Sequence, residues 1–340
     1  MAKATTRKAG ARLDRLRARL DAAGLTALLL TSPGGRGYIL GAEPGSAVLL
    51  TTEGTVAVTS GPYPGELGAL LRAAGVTRGS VGTETGSREP ALPLPGSPGL
   101  SLVDAGDLVF AELASHDPAE LRAFAAAAEL TAVGYTAVMD HLHVGMDVRE
   151  LSGNVDRSVR RAGGLLGWYD PCGATGAAGS DLVTVRGHDP ATARLTAADP
   201  VRYVLHPLCD GAVGYAAATA VLSRPDGPLR TAGDTCAAAT AALLAALRPG
   251  DPLRDGLDAF ARVAGEAPAT CRIMAMHGGG ASLPLACGSD LVAEPGMVLG
   301  VRTAAQVPEG GAVELAETVV VTGSGARAQA RTPLRLVELH

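Results

Sequence analysis

The sequence predicts two domains of different kinds, an α/β domain at the N-terminus followed by an α+β domain with an internal repeat. Three observations carry this. Helix-like and strand-like segments alternate over roughly the first hundred residues. A stretch crowded with proline, glycine and serine, Ser87 to Pro98, then gives way to long alanine-rich helices. Beyond it, Gly145, Arg149 and Glu150 are echoed by Gly250, Arg254 and Asp255, an offset of 105 in each case (250 − 145, 254 − 149, 255 − 150). A length of 340 residues suits two domains of ordinary size.

The elements follow in order. Met1 to Ala11 is basic and reads as a flexible tail. From Arg12, Leu13, Leu16 and Leu20 recur at helical spacing, and Gly24 is placed to cap the helix. Ala27 to Thr31 is an apolar, strand-like run stopped by Ser32-Pro33-Gly34-Gly35. Ala47–Leu50 and Val56–Thr59 flank Thr52-Glu53-Gly54 as a hairpin would. Glu66 to Ala74 reads as helix and Ser80 to Thr83 as strand, with room for one more strand before the boundary. At Asp117-Pro118-Ala119-Glu120 an N-cap, a first-turn proline and a first-turn acid open a long helix to about Met139. The domains are therefore expected at 12–113 and 114–340. In each copy of the repeat a long helix comes first, a second helix follows, and Gly-rich strand-like sequence comes next. Two helices and then strands, twice over, predict a pseudo-twofold domain.

Composition excludes several classes. Net charge is −5, and no basic surplus exists outside the first twenty residues, so a nucleic-acid partner is not expected. No run reaches the roughly eighteen apolar residues of a membrane span, and no hydrophobic signal region follows the basic start. The expectation is a cytoplasmic protein. Cys172, Cys209, Cys236, Cys271 and Cys287 are odd in number, scattered and free of CxxC spacing, so they read as reduced core residues.

With these pieces in place the chain resembles the pita-bread superfamily of creatinase, aminopeptidase P, prolidase and methionine aminopeptidase, its two-domain branch above all. The residues that carry the likeness span nearly the whole chain. Gly24 to Glu43 is similar to that branch's strand, "SP" turn and "RYLTG" segment, Asp117 to Leu121 to its "KDPEE", and Val144 to Leu151 to its "PGMTERE". Gly214-Tyr215 resembles the family's GY turn, and Ala275 to Gly280 its GHGxG. Glu294 to Val298 resembles "xPGMV", and Glu317 to Thr322 "EDTVLVT". The resemblance implies an N-terminal creatinase-like α/β domain and a C-terminal pita-bread domain of catalytic type.

The departures are informative. The peptidases hold two metal ions with two Asp, one His and two Glu, because such ions need lone pairs that alkyl groups lack. By that resemblance the first Asp falls on His206, the second on Ala218, the His on His277, and the first Glu on Arg302. The last Glu falls on Ala316, or on Glu317 with a one-residue gap. A dinuclear site is not expected, and no metal or other cofactor is assigned. Creatinase also lacks the cluster, and its catalytic histidine lies in a "GAHNP" segment that Gly187-His188-Asp189-Pro190 resembles. The residues matching its Glu and Arg after the GY turn are Ala220 and Val221, which puts creatine itself in doubt.

Each candidate has a second reading. His188 suits a general acid/base, because imidazole titrates near neutrality; otherwise it is an exposed loop histidine. His277, in a Gly-rich turn, and His206, in an apolar run, orient substrate or are buried and hydrogen-bonded. Arg302 holds a substrate carboxylate or pairs with Glu314 or Glu317. One of those two acids points inward, and Tyr215 is a further substrate contact. Asp210 reads as a turn residue.

The expected function is a metal-independent enzyme acting on a C–N bond of a small, carboxylated molecule, with His188 as acid/base. The alternative is a pita-bread pseudo-peptidase that binds a peptide or protein. The resemblance also implies a homodimer, since two-domain relatives complete their pockets with a neighbouring subunit.

Overall fold

The structure is a computed structural model and describes residues 2–31, 35, 47–53, 56–59, 64–84, 92–93, 97–166, 183–185, 194–197, 200–277, 282–286, 288–307 and 312–339. The chain forms two compact units, Met1–Leu113 with Leu285–Gly288, and Ala114–Pro284 with Ser289–His340.

In the first unit, helix α1 (Ala2–Ala22) begins ten residues before the start read from the sequence. The segment expected as a tail is therefore helical. Leu16 and Leu20 on α1 are buried, each worth about 1.5–3 kcal/mol of apolar transfer. Gly24 ends the turn at φ 66°, a left-handed conformation that favours glycine. The strands are β1 (Ala27–Leu30), β2 (Ala47–Thr51), β3 (Val56–Thr59), β4 (Gly79–Thr83), β5 (Leu92–Pro93) and β6 (Leu100–Asp104). They order as β3-β2-β1-β4-β6-β5. The pairs β1–β4 and β4–β6 are parallel and β1–β2–β3 is antiparallel, including the expected hairpin. Helix α2 (Pro64–Ala73) buries Leu67 and Leu71 on this sheet. On helix α3 (Gly106–Ala114), buried Glu112 is paired with Arg15 at 2.8 Å and Arg19 at 3.0 Å, one turn apart on α1. A buried carboxylate needs such partners.

The second unit opens with helix α4 (Pro118–His141). Asp117 accepts from Ala119 N and Glu120 N while Glu120 reaches back, so a full capping box forms where the sequence places the N-cap. Helix α5 (Val148–Arg161) follows, capped by Asp147. The strands are β7 (Leu165–Leu166), β8 (Val183–Val185), β9 (Val201–Leu205), β10 (Pro207–Cys209), β11 (Ala212–Val213) and β12 (Ala216–Val221). The second copy then runs through α6 (Gly227–Ala246), α7 (Arg254–Ala264) and β13 (Ala269–Met276). After it come β14 (Ser282–Pro284), β15 (Val298–Gln306), β16 (Ala312–Thr322), β17 (Gly325–Ala328) and β18 (Val337–Glu338). The large sheet orders as β14-β13-β15-β16-β12-β9-β8, with β17 on β16 and β18 on β12. A small sheet, β11-β10-β7, stands beside it. Its tight turn is Asp210-Gly211 with φ 49° and 78°, so Asp210 is the turn residue the sequence suggests.

The repeat is physical. Gly145 and Gly250 both take positive φ, 84° and 92°. Gly145 N donates to Leu195 O while Leu195 N returns to Met146 O, and Gly250 N donates to Ala293 O while Ala293 N returns to Asp251 O. Isolated bridges, Asp147 with Arg194 and Pro252 with Val292, complete the match. One face of the large sheet, with Tyr203, Leu205, Ala218, Ala220, Val313 and Leu315, packs on α5 and α6 as the main core. Cys236 on α6 lies in it, 3.5 Å from Thr303 Oγ1, and burial pushes the Cys271 thiol up to about 12. Cys236 is thus a core residue, whereas Cys271 and Cys209 are only half-buried. Among the described residues no helix is long and apolar enough to cross a membrane.

Candidate active site

The face of the large sheet opposite that core carries most of the described candidates, and strand register decides which. In antiparallel pairs, residues directly opposite share a face, and the face alternates along each strand. Arg272 on β13 stands opposite Arg302 on β15, Arg302 opposite Ala316 on β16, and Ala316 opposite Ala217 on β12. These four form one row across the sheet. Glu314, two residues before Ala316, belongs to the same face.

Arg302 is held by Glu314. Its Nε lies 2.8 Å from Glu314 Oε1, and its Nη2 donates to Oε2 at 3.0 Å. Arg202 on β9 donates from Nη1 to the same Oε2 at 2.8 Å. The Glu314 side chain is only 3% exposed, against 18% for Arg302 and 35% for Arg202. A carboxylate so buried needs a close guanidinium fork. Of the two readings left open for Arg302, the ion pair with Glu314 is the one observed.

The ladder between β12 and β16 has a short paired centre, Ala216 with Glu317 and Ala217 with Ala316, and a threonine hydroxyl bridges the strands at each end. Tyr215 N donates to Thr318 Oγ1 at 2.7 Å, and that hydroxyl donates to Tyr215 O at 3.1 Å. At the other end Glu314 N donates to Thr219 Oγ1 at 2.9 Å, and that hydroxyl donates to Glu314 O at 3.3 Å. Thr219 and Thr318 are fully buried. The first bridge fixes Tyr215 and the second fixes Glu314.

His206 lies between β9 and β10 and stacks on Tyr215, with ring centroids 5.1 Å apart and planes 8° from parallel. The Tyr215 ring also lines Gly300, where an added Cβ would lie 2.8 Å from Met276 Sδ and 3.2 Å from Tyr215 Cδ1. Met276 leads into His277, which is buried. His206, Tyr215, Gly300, Met276 and His277 are thus linked by stacking, packing and chain. Sequence reasoning does not find His116. Its Nε2 donates to Met276 O at 2.8 Å, and its ring packs 4.6 Å from Phe124, so it holds the carbonyl just before His277. No sequence signal marks it, because its role depends on a contact 160 residues away.

Two assignments change. Glu317 is turned to the helix-covered face, 1% exposed, away from Arg302 and Glu314. Its carboxyl accepts from Ala330 N at 2.8 Å and lies 3.5 Å from Thr332 Oγ1, and burial pushes it up to about 8. It anchors the C-terminal segment rather than lining the site. Ala218 stands opposite Tyr203 in the main core, so the β12 residue in the row of Arg302 and Ala316 is Ala217. His188 lies outside the described residues, as do Cys172 and Cys287.

The architecture defines the class first: an α/β unit and a pseudo-twofold pita-bread unit. A family model described as metallopeptidase family M24 matches residues 122–323, and the chain belongs to that family. Among solved structures it is similar to the dipeptidase PepE from Mycobacterium ulcerans (18% identity, 98% of each chain covered, TM-score 0.72). It is also similar to an Xaa-Pro dipeptidase from Bacillus anthracis (17% identity, 97% of this chain and 100% of that one, TM-score 0.65). A third likeness is to the N-terminal domain of the FACT complex subunit SPT16 from Cicer arietinum (14% identity, 98% and 99% covered, TM-score 0.63). At these identities the likeness concerns the fold. No curated protein matches.

The family resemblance implies a pair of metal ions, and the residues present do not fit one. Arg302 stands at one expected Glu position, with Ala316 opposite it at the other, and Ala217 and Ala218 leave no carboxylate on β12 at either parity. Among the described residues no group of three or more His, Cys, Asp or Glu is placed to hold a metal ion.

Proposed function

We propose that the protein is a metal-independent, hydrolase-like enzyme acting on a C–N bond of a small, carboxylated molecule. The observation that carries the reading is the Arg302–Glu314 ion pair at a family ligand position, with alanines beside it. A guanidinium brings a permanent positive charge where the family would place metal ions, and it needs no lone-pair donors. His188 acts as general acid/base, while His206, His277 and Tyr215 orient the substrate and stabilise developing charge.

The test is a substrate screen among N-carboxymethyl guanidines, Xaa-Pro dipeptides and small cyclic amides, followed by histidine variants. His188→Ala is expected to lose about 10²–10⁴-fold in turnover, with stability changed by less than about 1 kcal/mol. His206→Ala, which removes a buried ring stacked on Tyr215, is expected to cost about 1–3 kcal/mol of stability. Wild-type turnover in His188→Ala would overturn the assignment.

A second reading, a non-catalytic module that binds a peptide or protein, is favoured by one observation. A neighbour nearly as similar in fold as the dipeptidases is a subunit of the FACT complex. A screen without turnover, together with retained peptide binding, would select it. Either reading includes a homodimer, the assembly the resemblance implies. Light scattering is expected to give twice the chain mass at micromolar concentration, and a monomer near 34.1 kDa would contradict it.

A further inference from the structure

We infer that His116 is a positioning residue for His277, acting through the Met276 carbonyl. This deepens the proposed function and rests on the use that reading makes of His277. The β13–β15 ladder ends where Ala275 stands opposite Leu299. One residue further along β13, the Met276 carbonyl accepts from His116 Nε2 at 2.8 Å. A carbonyl oxygen only accepts, so Nε2 carries the proton. On the other side of the ring, His116 Nδ1 faces Glu120 Oε2 at 3.4 Å, and the His116 side chain is only 3% exposed.

The groups behind this ring are themselves held. His116 N donates to Gly296 O at 3.2 Å, and Ser115 forms a bridge with Met297. The ring centroid lies 4.6 Å from that of Phe124, one turn beyond Glu120 on α4. Glu120 Oε2 accepts from Asp117 N at 3.1 Å in the capping box, which ties the carboxylate to the start of that helix. A chain of contacts therefore runs from the first turn of α4, through Glu120 and His116, to the Met276 carbonyl. The peptide group is planar, so fixing this carbonyl fixes the direction in which His277 N and Cα leave β13. Gly278, Gly279 and Gly280 follow in the sequence, and glycine restrains its own backbone least, so a hold on the preceding peptide counts for more. Displacing a group that meets substrate by about 1 Å can cost about 10²-fold in rate, which is the scale on which such a hold acts.

Met276-His277 is the single Met-His pair in the sequence. Full-length protein carrying carbonyl-13C methionine and 15N histidine therefore gives one carbonyl–amide NMR signal, which reports on this peptide alone. His116→Phe keeps a ring against Phe124 and removes the donor, whereas His116→Gln keeps an N–H donor and removes the ring. The Met276-His277 signal is expected to move in His116→Phe and to stay near its wild-type position in His116→Gln. With any substrate the screen yields, kcat is expected to fall about 10–100-fold in His116→Phe and to be largely restored in His116→Gln, whichever variant is the more stable. In wild type, the imidazole N–H signal that disappears in His116→Gln is expected to exchange slowly with water, which tests the bond even if His116→Phe fails to fold. An unmoved signal in His116→Phe, equal movement in both variants, or no slowly exchanging imidazole N–H in wild type would overturn the positioning role. The expected NMR changes without turnover of any screened substrate would keep that role and remove the enzyme reading, so the two failures are distinguishable.

Discussion

Glu317→Gln is expected to stabilise the protein by about 3–5 kcal/mol above pH 8, and to leave it within about 1 kcal/mol of wild type near pH 5. Burial raises the Glu317 carboxyl from 4.5 to about 8 in the folded state. Below pH 4.5 both states hold the proton. Between 4.5 and about 8 the folded state keeps it while the unfolded chain has lost it, so stability falls as pH rises. Above about 8 both are ionised and the loss is complete. Holding the proton one pH unit longer in the folded state than in the unfolded chain is worth about 1.4 kcal/mol, which gives the range above. Gln keeps an oxygen for Ala330 N and adds an amide near Thr332, so the anchor of the C-terminal segment survives. Urea unfolding of both proteins from pH 5 to 9 checks this. Parallel pH curves would show that Glu317 is not a buried, proton-holding group.

Glu314→Gln is expected to act in the opposite direction and cost about 3–5 kcal/mol, because removing one partner of a buried ion pair strands the other. Arg302 is the stranded group. Its side chain is 18% exposed, whereas Arg202 at 35% has a route to water. Arg202→Gln is therefore expected to cost less than about 1 kcal/mol, since Arg302 still serves both Glu314 oxygens. Replacing Arg302 and Glu314 together by Met and Leu should recover most of the loss, because a packed apolar pair avoids the desolvation of two charges. Chemical denaturation of the two single variants and the double variant decides it. Equal losses in Glu314→Gln and Arg202→Gln would show that the charge is shared rather than centred on Arg302.

Much of the fold is legible because its signals are local. The capping box at Asp117, the hairpin around Thr52 and the glycine pair at 145 and 250 each satisfy a short-range requirement that the sequence states directly. Long-range pairing is not legible. Parallel pairing of β18 with β12 and the β7–β10 pairing join segments far apart in sequence. The tail to Ala11 looks unstructured on charge alone, yet it is helical.

The site is legible in its residue types and not in its parity. Glu314 and Glu317 are three apart on one strand, so they must face opposite ways, and only the register with β15 says which shares the face of Arg302. The same one-residue ambiguity separates Ala217 from Ala218. Both are alanine, so the chemical conclusion is the same at either parity.

The central claim is that a guanidinium–carboxylate pair stands where the family would hold metal ions. Elemental analysis of the full-length protein, purified without chelator and then incubated with Mn, Co and Zn salts before desalting, tests it most directly. Bound metal is expected to stay far below one ion per chain, and EDTA is expected to leave the melting temperature unchanged. A stoichiometric, chelator-sensitive ion that raises the melting temperature would contradict the account.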